Sequence, residues 1–350
     1  MRLLFLPFAM LYGMVMWLRN LLFDTGVLRS RKFSVPVISA GNLRIGGTGK
    51  TPHVEYLVRM LRDKYRIAVL SRGYKRKTKG FVMAGEGVST RDIGDEPMQI
   101  HTKFPDICVA VHEKRIKGIK QILEQNPDVN LIILDDAFQH RYVKPGLNLL
   151  LTGYYNPFFR DFLLPVGYLR EAKKSARRAD ALIVTKTPLV FSPLDRRFFL
   201  KKLKPYYDGP VFFSTFRYQE LQPLYPEYSM ELPSRVKSIF LVTGIANTVA
   251  LEEYLKRICD DLHVFSFPDH HRFSLQDLKK VYGKFSRTIG GNKIIVTTEK
   301  DAMRLQRPKL KQFLAELPVF FIPIEVSFHG EDKKAFEDMV KRFLSRGRVT

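Results

Sequence analysis

The sequence predicts an α/β fold: a P-loop NTPase-type parallel sheet with helices on both faces, preceded by an apolar N-terminal helix and followed by a smaller C-terminal α/β lobe. Three observations predict it. Short aliphatic runs alternate with helical stretches, the loop Gly46-Gly47-Thr48-Gly49-Lys50-Thr51 stands between one such run and a helix, and the run 131–134 ends on Asp135-Asp136. Such alternation favours parallel strands joined by crossover helices.

The first element is apolar. Residues 3–18 carry no charge and are followed by Arg19-Asn20 and a second apolar group, Leu21-Leu22-Phe23. As a helix, residues 3–18 span about 24 Å, less than the roughly 30 Å of a bilayer core. Pro7 and Gly13 interrupt the run, and no small-residue cleavage site follows it. A single span, a core helix and a signal peptide are the alternatives. The preferred reading is a membrane-associating interfacial helix within residues 1–30, with Arg2, Arg19, Arg29, Arg31 and Lys32 available to anionic headgroups.

Strand-like runs at 35–40, 66–71, 107–111, 131–134, 147–152 and 181–185 define a core over 31–210. An extended run at 211–218 and a Pro-containing stretch at 222–233 follow, and 211–235 reads as a linker region. Runs at 238–243, 263–267, 293–298 and 319–326, with helical segments between them, place the second lobe at 236–350.

The glycines at 46, 47 and 49 permit close backbone approach, so successive N–H groups can surround a phosphate at the start of the helix that follows. Lys50 would reach the β and γ phosphates, and Thr51 supplies the hydroxyl that Mg²⁺ requires. The usual first glycine of the pattern is replaced by Arg44. Asp135 and Asp136, at the end of a buried strand, can hold the metal directly or through water. Gln139 and His140 follow immediately and could orient substrate or water.

Other motifs are ambiguous from spacing alone. Gly94-Asp95-Glu96-Pro97 reads first as a helix start capped by Asp95. The loop containing Arg72 and the loop containing Arg170 and Glu171 put charged groups where they could position a substrate or face water. Thr185-Lys186-Thr187 and Thr298-Glu299-Lys300-Asp301 could each help hold a base or ribose. His270 and His271 follow a strand of the second lobe beside Asp269, a carboxylate and imidazole pairing suited to general-base chemistry.

The chain has 58 Lys plus Arg against 35 Asp plus Glu, a net charge of +23, which favours an anionic partner. Cys108 and Cys259 show no CxxC spacing, so neither a zinc site nor a disulfide framework is indicated. No aromatic RNA-binding motif or recognition-helix pattern supports nucleic acid as the partner. No obligate protein partner is inferred.

The ordered motifs GNLRIGGTGKTP, SRGY, GDEP, LDDAFQH, LLPVGYLRE, FPDHHRF and TTEKDAMRL together resemble the tetraacyldisaccharide 4′-kinase family, the lipid A 4′-kinases of Gram-negative bacteria. The resemblance implies phosphate transfer from ATP, with Mg²⁺, to the 4′-hydroxyl of an acylated disaccharide 1-phosphate lipid, at the cytoplasmic face of the inner membrane. It implies Asp95 as the group that activates the sugar hydroxyl, assisted by His270, in place of the capping role that spacing suggests. Arg72, Gln139, His140, Arg170 and Glu171 would then position substrate. Ala137 stands where the family's motif has glycine, and Tyr168 where proline is frequent. The alternative is a P-loop GTPase or metallochaperone-type switch at the membrane, which would share the phosphate loop and the strand-ending Asp but need no lipid acceptor.

Overall fold

The computed structural model describes residues 5–225, 235–245, 247–269 and 271–346. It comprises two compact units, one made of Met1–Phe216 with Val326–Thr350 and the other of Arg217–Glu325.

The first unit is built on a nine-stranded sheet. Its strands run in the order Ile324–Phe328, Val211–Tyr218, Ala181–Thr185, Leu147–Gly153, Val37–Asn42, Leu131–Asp135, Ile67–Ser71, Cys108–Val111 and Val82–Met83. The seven from Val211–Tyr218 to Cys108–Val111 are parallel to their neighbours, and Val82–Met83 closes the edge antiparallel. The central strand Val37–Asn42 is therefore the point from which the chain winds outward in both directions, and the crevice beyond the carboxyl ends of such strands is where α/β sheets bind ligands.

Side-chain alternation explains the layers. Ile67, Val69, Leu131 and Ile133 face one core with Val54, Leu57 and Leu61 of the helix Lys50–Leu61. Ala68, Leu70, Ile132 and Leu134 face the other with Ile119 and Ile122 of the helix Arg115–Gln125.

The N-terminal helix runs over Leu6–Asp24 and spans about 28 Å at 1.5 Å per residue. Pro7 does not interrupt it, because it falls in the first turn, where its missing N–H costs nothing. Ala9 and Phe23 are buried, whereas Phe8, Met10 and Trp17 are 62–68% exposed. Length and composition would allow this helix to cross a membrane.

The boundaries differ from the expected ones in two places. Val211–Tyr218 is not linker: it pairs in parallel with Ala181–Thr185, and Phe212, Phe213 and Ser214 are buried. The C-terminal helix Asp332–Arg346 belongs to the first unit, not to a lobe over 236–350. Its stripe of Phe336, Val340 and Leu344 lies in the same core as the helix Lys50–Leu61. Phe336 stacks on Phe328 at 4.7 Å, and the Tyr56 hydroxyl donates to Glu337 at 2.8 Å. Asp332 is clamped by both terminal nitrogens of Arg196, at 2.9 and 2.7 Å. The run expected as one strand over 319–326 is divided at Pro323 into Val319–Ile322 and Ile324–Phe328, which belong to different sheets.

The second unit has a five-stranded sheet in the order Cys259–Ser266, Val236–Thr243, Lys293–Thr298, Val319–Ile322 and Gln222–Pro223, with only the last strand antiparallel. Its core gathers Ile239, Leu241, Leu251, Leu255, Ile294, Val296 and Phe320.

Candidate active site

The phosphate loop leaves the fully buried strand Val37–Asn42 and enters the helix Lys50–Leu61 through Gly49, at φ +82°. Gly46 also has positive φ, +115°. A side chain at Gly49 would start 2.5 Å from the Phe216 ring, so both backbone angle and space require glycine there. Arg44, in the place of the usual first glycine, needs no such freedom. It forms an antiparallel bridge with Leu169, flanked by Ile45 N–H donating to the Tyr168 carbonyl at 2.8 Å and Arg170 N–H donating to the Leu43 carbonyl at 2.8 Å. Its side chain pairs with Asp161 at 2.6 Å. The loop's first half is thus held by a single bridge to the segment that carries Arg170 and Glu171.

Buried polar groups fix the second half. Asn42 Nδ2 donates to Thr48 Oγ1 at 2.8 Å, Asn42 Oδ1 accepts from Arg170, and the Asn42 carbonyl accepts from Gln139 Nε2 at 2.9 Å. Thr185 Oγ1 donates to the Thr48 carbonyl at 2.7 Å. Lys186 lies over the loop, with its Nζ 3.8 Å from where a side chain on Gly47 would begin.

Below Gly49, His53 Nδ1 bonds the Gly49 carbonyl at 2.7 Å and Nε2 bonds Ser214 Oγ at 2.9 Å. Burial holds the His53 imidazole neutral, lowering it from 6.5 to about 4. The unfolded chain therefore binds a proton here between pH 6.5 and 4 that the folded chain refuses. Stability from this site is complete above about 6.5 and falls as pH drops towards 4, by about 3 kcal/mol in all. His140 is lowered to about 4 by burial and by the charges of Arg115 and Arg72, and acts in the same window. Unfolding followed from pH 7 to pH 4.5 should show this loss, and a His53→Gln protein should lose less over that range. An equal loss in both would remove His53 as its source.

Asp135 and Asp136 lie beside the loop, since Ala40 is in register with Asp135 in the neighbouring strand. Their surroundings differ sharply. Asp136, at φ +50°, accepts from both terminal nitrogens of Arg170, at 2.8 and 3.4 Å, and lies 3.7 Å from Lys50 Nζ. Burial opposes its charge, but Lys50 and Arg170 outweigh burial and hold the carboxyl down at about 2. Asp135 is 1% exposed, and its Oδ1 has no hydrogen-bond partner. Burial, with the charges of Glu96 and Asp136, pushes its carboxyl up.

A buried carboxyl oxygen without a donor is costly to keep charged unless the group takes up a proton, the direction in which burial pushes Asp135, or a cation meets it. The residues therefore fit a divalent metal. Among the described residues no three His, Cys, Asp or Glu side chains cluster as ligands. Mg²⁺ commonly takes one or two carboxylates together with waters and substrate phosphates.

The SRGY and GDEP segments meet at the same edge. Gly73 and Gly94 both have positive φ, and a side chain on either would strike backbone of the other segment, at Ile93 O (2.9 Å) and Tyr74 O (3.1 Å). Gly94, not Asp95, is the N-cap of the helix Asp95–Lys103, and the preceding turn has its own capping box in Ser89 and Asp92. Asp95 is the first helical residue and half-buried. The cap expected at Asp95 thus falls one residue earlier, on Gly94.

Arg115 escaped the sequence reading. It is buried beneath the Asp pair, donating to the Asp135 carbonyl at 3.1 Å and the His112 carbonyl at 2.8 Å. Only its place at the start of a helix after a strand hinted at a role.

Glu171 is fully buried and pairs with Arg178 at 2.7 Å, so it faces protein rather than water. Arg72 is exposed, and its charge bears on Arg115 and His140. In the second unit, Asp301 accepts from Thr243, Gly244 N–H, Thr298 and Arg304, which makes it a structural hub. His271 bonds Asp277 at 3.0 Å and stacks on Phe267. His270 lies outside the described residues.

Comparison with known proteins follows the same lines. The family model described as tetraacyldisaccharide-1-P 4′-kinase matches residues 1–345. The tetraacyldisaccharide 4′-kinase of Bacteroides thetaiotaomicron is 48% identical over 343 residues, covering 93% of this chain and 90% of that protein. The tetraacyldisaccharide 4′-kinase of Phocaeicola vulgatus is 42% identical over 345 residues, covering 97% and 94%. Among solved structures, LpxK from Aquifex aeolicus in complex with ATP is similar at a TM-score of 0.73 and 32% identity, covering 98% of this chain and 99% of that one.

Proposed function

This chain belongs to the tetraacyldisaccharide 4′-kinase family, and from that premise we propose how its residues divide the work. It is an ATP-using kinase that phosphorylates the 4′-hydroxyl of tetraacyldisaccharide 1-phosphate, and the GTPase-switch alternative falls away.

The backbone of Gly46, Gly47, Thr48 and Gly49 cradles the ATP phosphates, and Lys50 follows the charge that builds on the β–γ bridging oxygen as its bond to phosphorus breaks. Asp136 keeps Lys50 and Arg170 aligned, since its carboxylate touches both. Asp135 and the Thr51 hydroxyl are the protein groups that would hold Mg²⁺, with Asp136 close by. Bound there, the metal would neutralise phosphate charge.

Asp95 takes the proton of the 4′-hydroxyl as its oxygen bonds to the γ-phosphorus, with His270 assisting. A sugar hydroxyl is a weak nucleophile, so a carboxylate at the acceptor is what the chemistry requires. Arg72, Gln139, His140, Arg170 and Glu171 orient the acceptor or the groups around it. The observation that carries this reading is the meeting of a phosphate loop, an unpartnered buried carboxylate oxygen and a surplus of cations at one sheet edge. Supplying γ-labelled ATP or GTP with the acceptor should label lipid far better from ATP. Preferential GTP turnover without acceptor would overturn it.

The exposed apolar face of Leu6–Asp24 suits the cytoplasmic face of the inner membrane, where an anionic, acylated acceptor resides, and the net charge of +23 suits its headgroups. Deleting residues 1–24 should move the protein from the membrane pellet to the supernatant. Undiminished sedimentation with membranes would refute the anchor.

A further inference from the structure

The N-terminal helix has a second face, and this face touches the site. The Tyr12 hydroxyl donates to the Arg170 carbonyl at 2.8 Å, and Arg19 Nη2 donates to the Gln139 carbonyl at 2.8 Å. Asn20 Nδ2 donates to Glu171 at 3.1 Å. Gly13 lets the helix approach closely, since a side chain there would start 2.9 Å from Leu163.

Each contact leads onward. Gln139 donates to the Asn42 carbonyl, and Asn42 donates to Thr48 of the phosphate loop. Arg170 grips Asp136, which faces Lys50. A helix serving only as an anchor needs its apolar face alone. A polar face of long side chains, spent on the two loops that shape the phosphate site, calls for a different account.

We propose that Tyr12 and Arg19 are positioning residues for phosphate transfer: the seated helix fixes Arg170 and Gln139, and through them Asp136, Lys50 and the phosphate loop. The inference builds on the kinase reading but is separate from the anchor, because the polar and apolar faces of the helix can be altered independently. Loops held by few contacts shift by fractions of an ångström when those contacts go, and transfer chemistry is sensitive to such shifts.

The test uses the full chain with Mg-ATP and detergent-dispersed acceptor, so that membrane encounter does not limit the rate. Tyr12→Phe/Arg19→Leu should lower kcat about tenfold while sedimenting with membranes as the native protein does, because the exposed apolar face is intact. Arg19→Lys, which restores a donor, should recover part of the loss. Tyr12→Phe removes one hydroxyl and serves alone if the double variant fails to fold. It should lower kcat about threefold in the native background and have little effect in an Arg170→Ala background. Unchanged kcat in these variants, or the same fall with and without Arg170, would overturn the proposal. Loss of membrane association with kcat retained in detergent would also overturn it, leaving the helix a plain anchor. Failure of the native protein to phosphorylate the acceptor would instead strike the kinase reading itself.

Discussion

Replacing Asp95 with alanine is expected to reduce kcat by about 10²- to 10⁴-fold, the span that a positioned general base contributes. That corresponds to roughly 3–5 kcal/mol of lost transition-state stabilisation. ATP affinity should change little, because the phosphate loop is fixed by Asn42, Thr185 and His53 rather than by the helix that begins at Asp95. Folding should survive too, since Gly94 is the N-cap and the preceding turn is closed by Ser89 and Asp92. Equilibrium binding of a labelled ATP analogue alongside steady-state turnover separates the two quantities. Normal turnover with lost ATP binding would move Asp95 out of the acceptor half of the site.

Asp135→Asn should produce opposite effects on activity and on stability. Without metal, the native protein buries a carboxylate whose Oδ1 meets no donor. An amide of the same shape removes that charge, so the metal-free variant should be as stable as the native protein or more stable, by about 1–3 kcal/mol. Turnover should meanwhile fall by about 10²-fold or more, because a metal ligand at the phosphates is lost. Asp136→Asn should instead weaken ATP binding without a stability gain, since it removes the negative charge that Lys50 and Arg170 share while leaving only one amide oxygen to accept. Thermal unfolding in chelator and Mg²⁺-titrated turnover report the two halves. A destabilised Asp135→Asn protein with near-native activity would assign the metal elsewhere.

Much of this site was legible along the chain because its signals are local. A glycine loop between a strand and a helix, and paired Asp residues at a strand end, carry their meaning within a few residues. What was not legible depends on contacts distant in sequence. Arg44 looked like a missing glycine, yet its bridge to Leu169 makes glycine unnecessary. Asn42 and Arg115 are ordinary residues in the string, and only the fold turns them towards Arg170 and Asp135. Phe336, Val340 and Leu344 are spaced as one face of a helix, but nothing local shows that this helix returns to the first unit. Pro323 could have divided the run at 319–326, since proline cannot donate within a ladder. Tyr12 and Asn20 lie within a segment read for its hydrophobicity, and Arg19, expected to face anionic headgroups, turns its guanidinium to the Gln139 carbonyl instead.

The most direct test of the account is to find where the phosphate goes. Purified protein, ATP, Mg²⁺ and tetraacyldisaccharide 1-phosphate are incubated together, and the lipid product is examined by ³¹P and proton NMR. The account predicts a bisphosphorylated lipid with the new phosphate on the 4′-oxygen, formed at one ADP per product. ATP consumed with no phosphate on the sugar, or phosphate on any other oxygen, would contradict it.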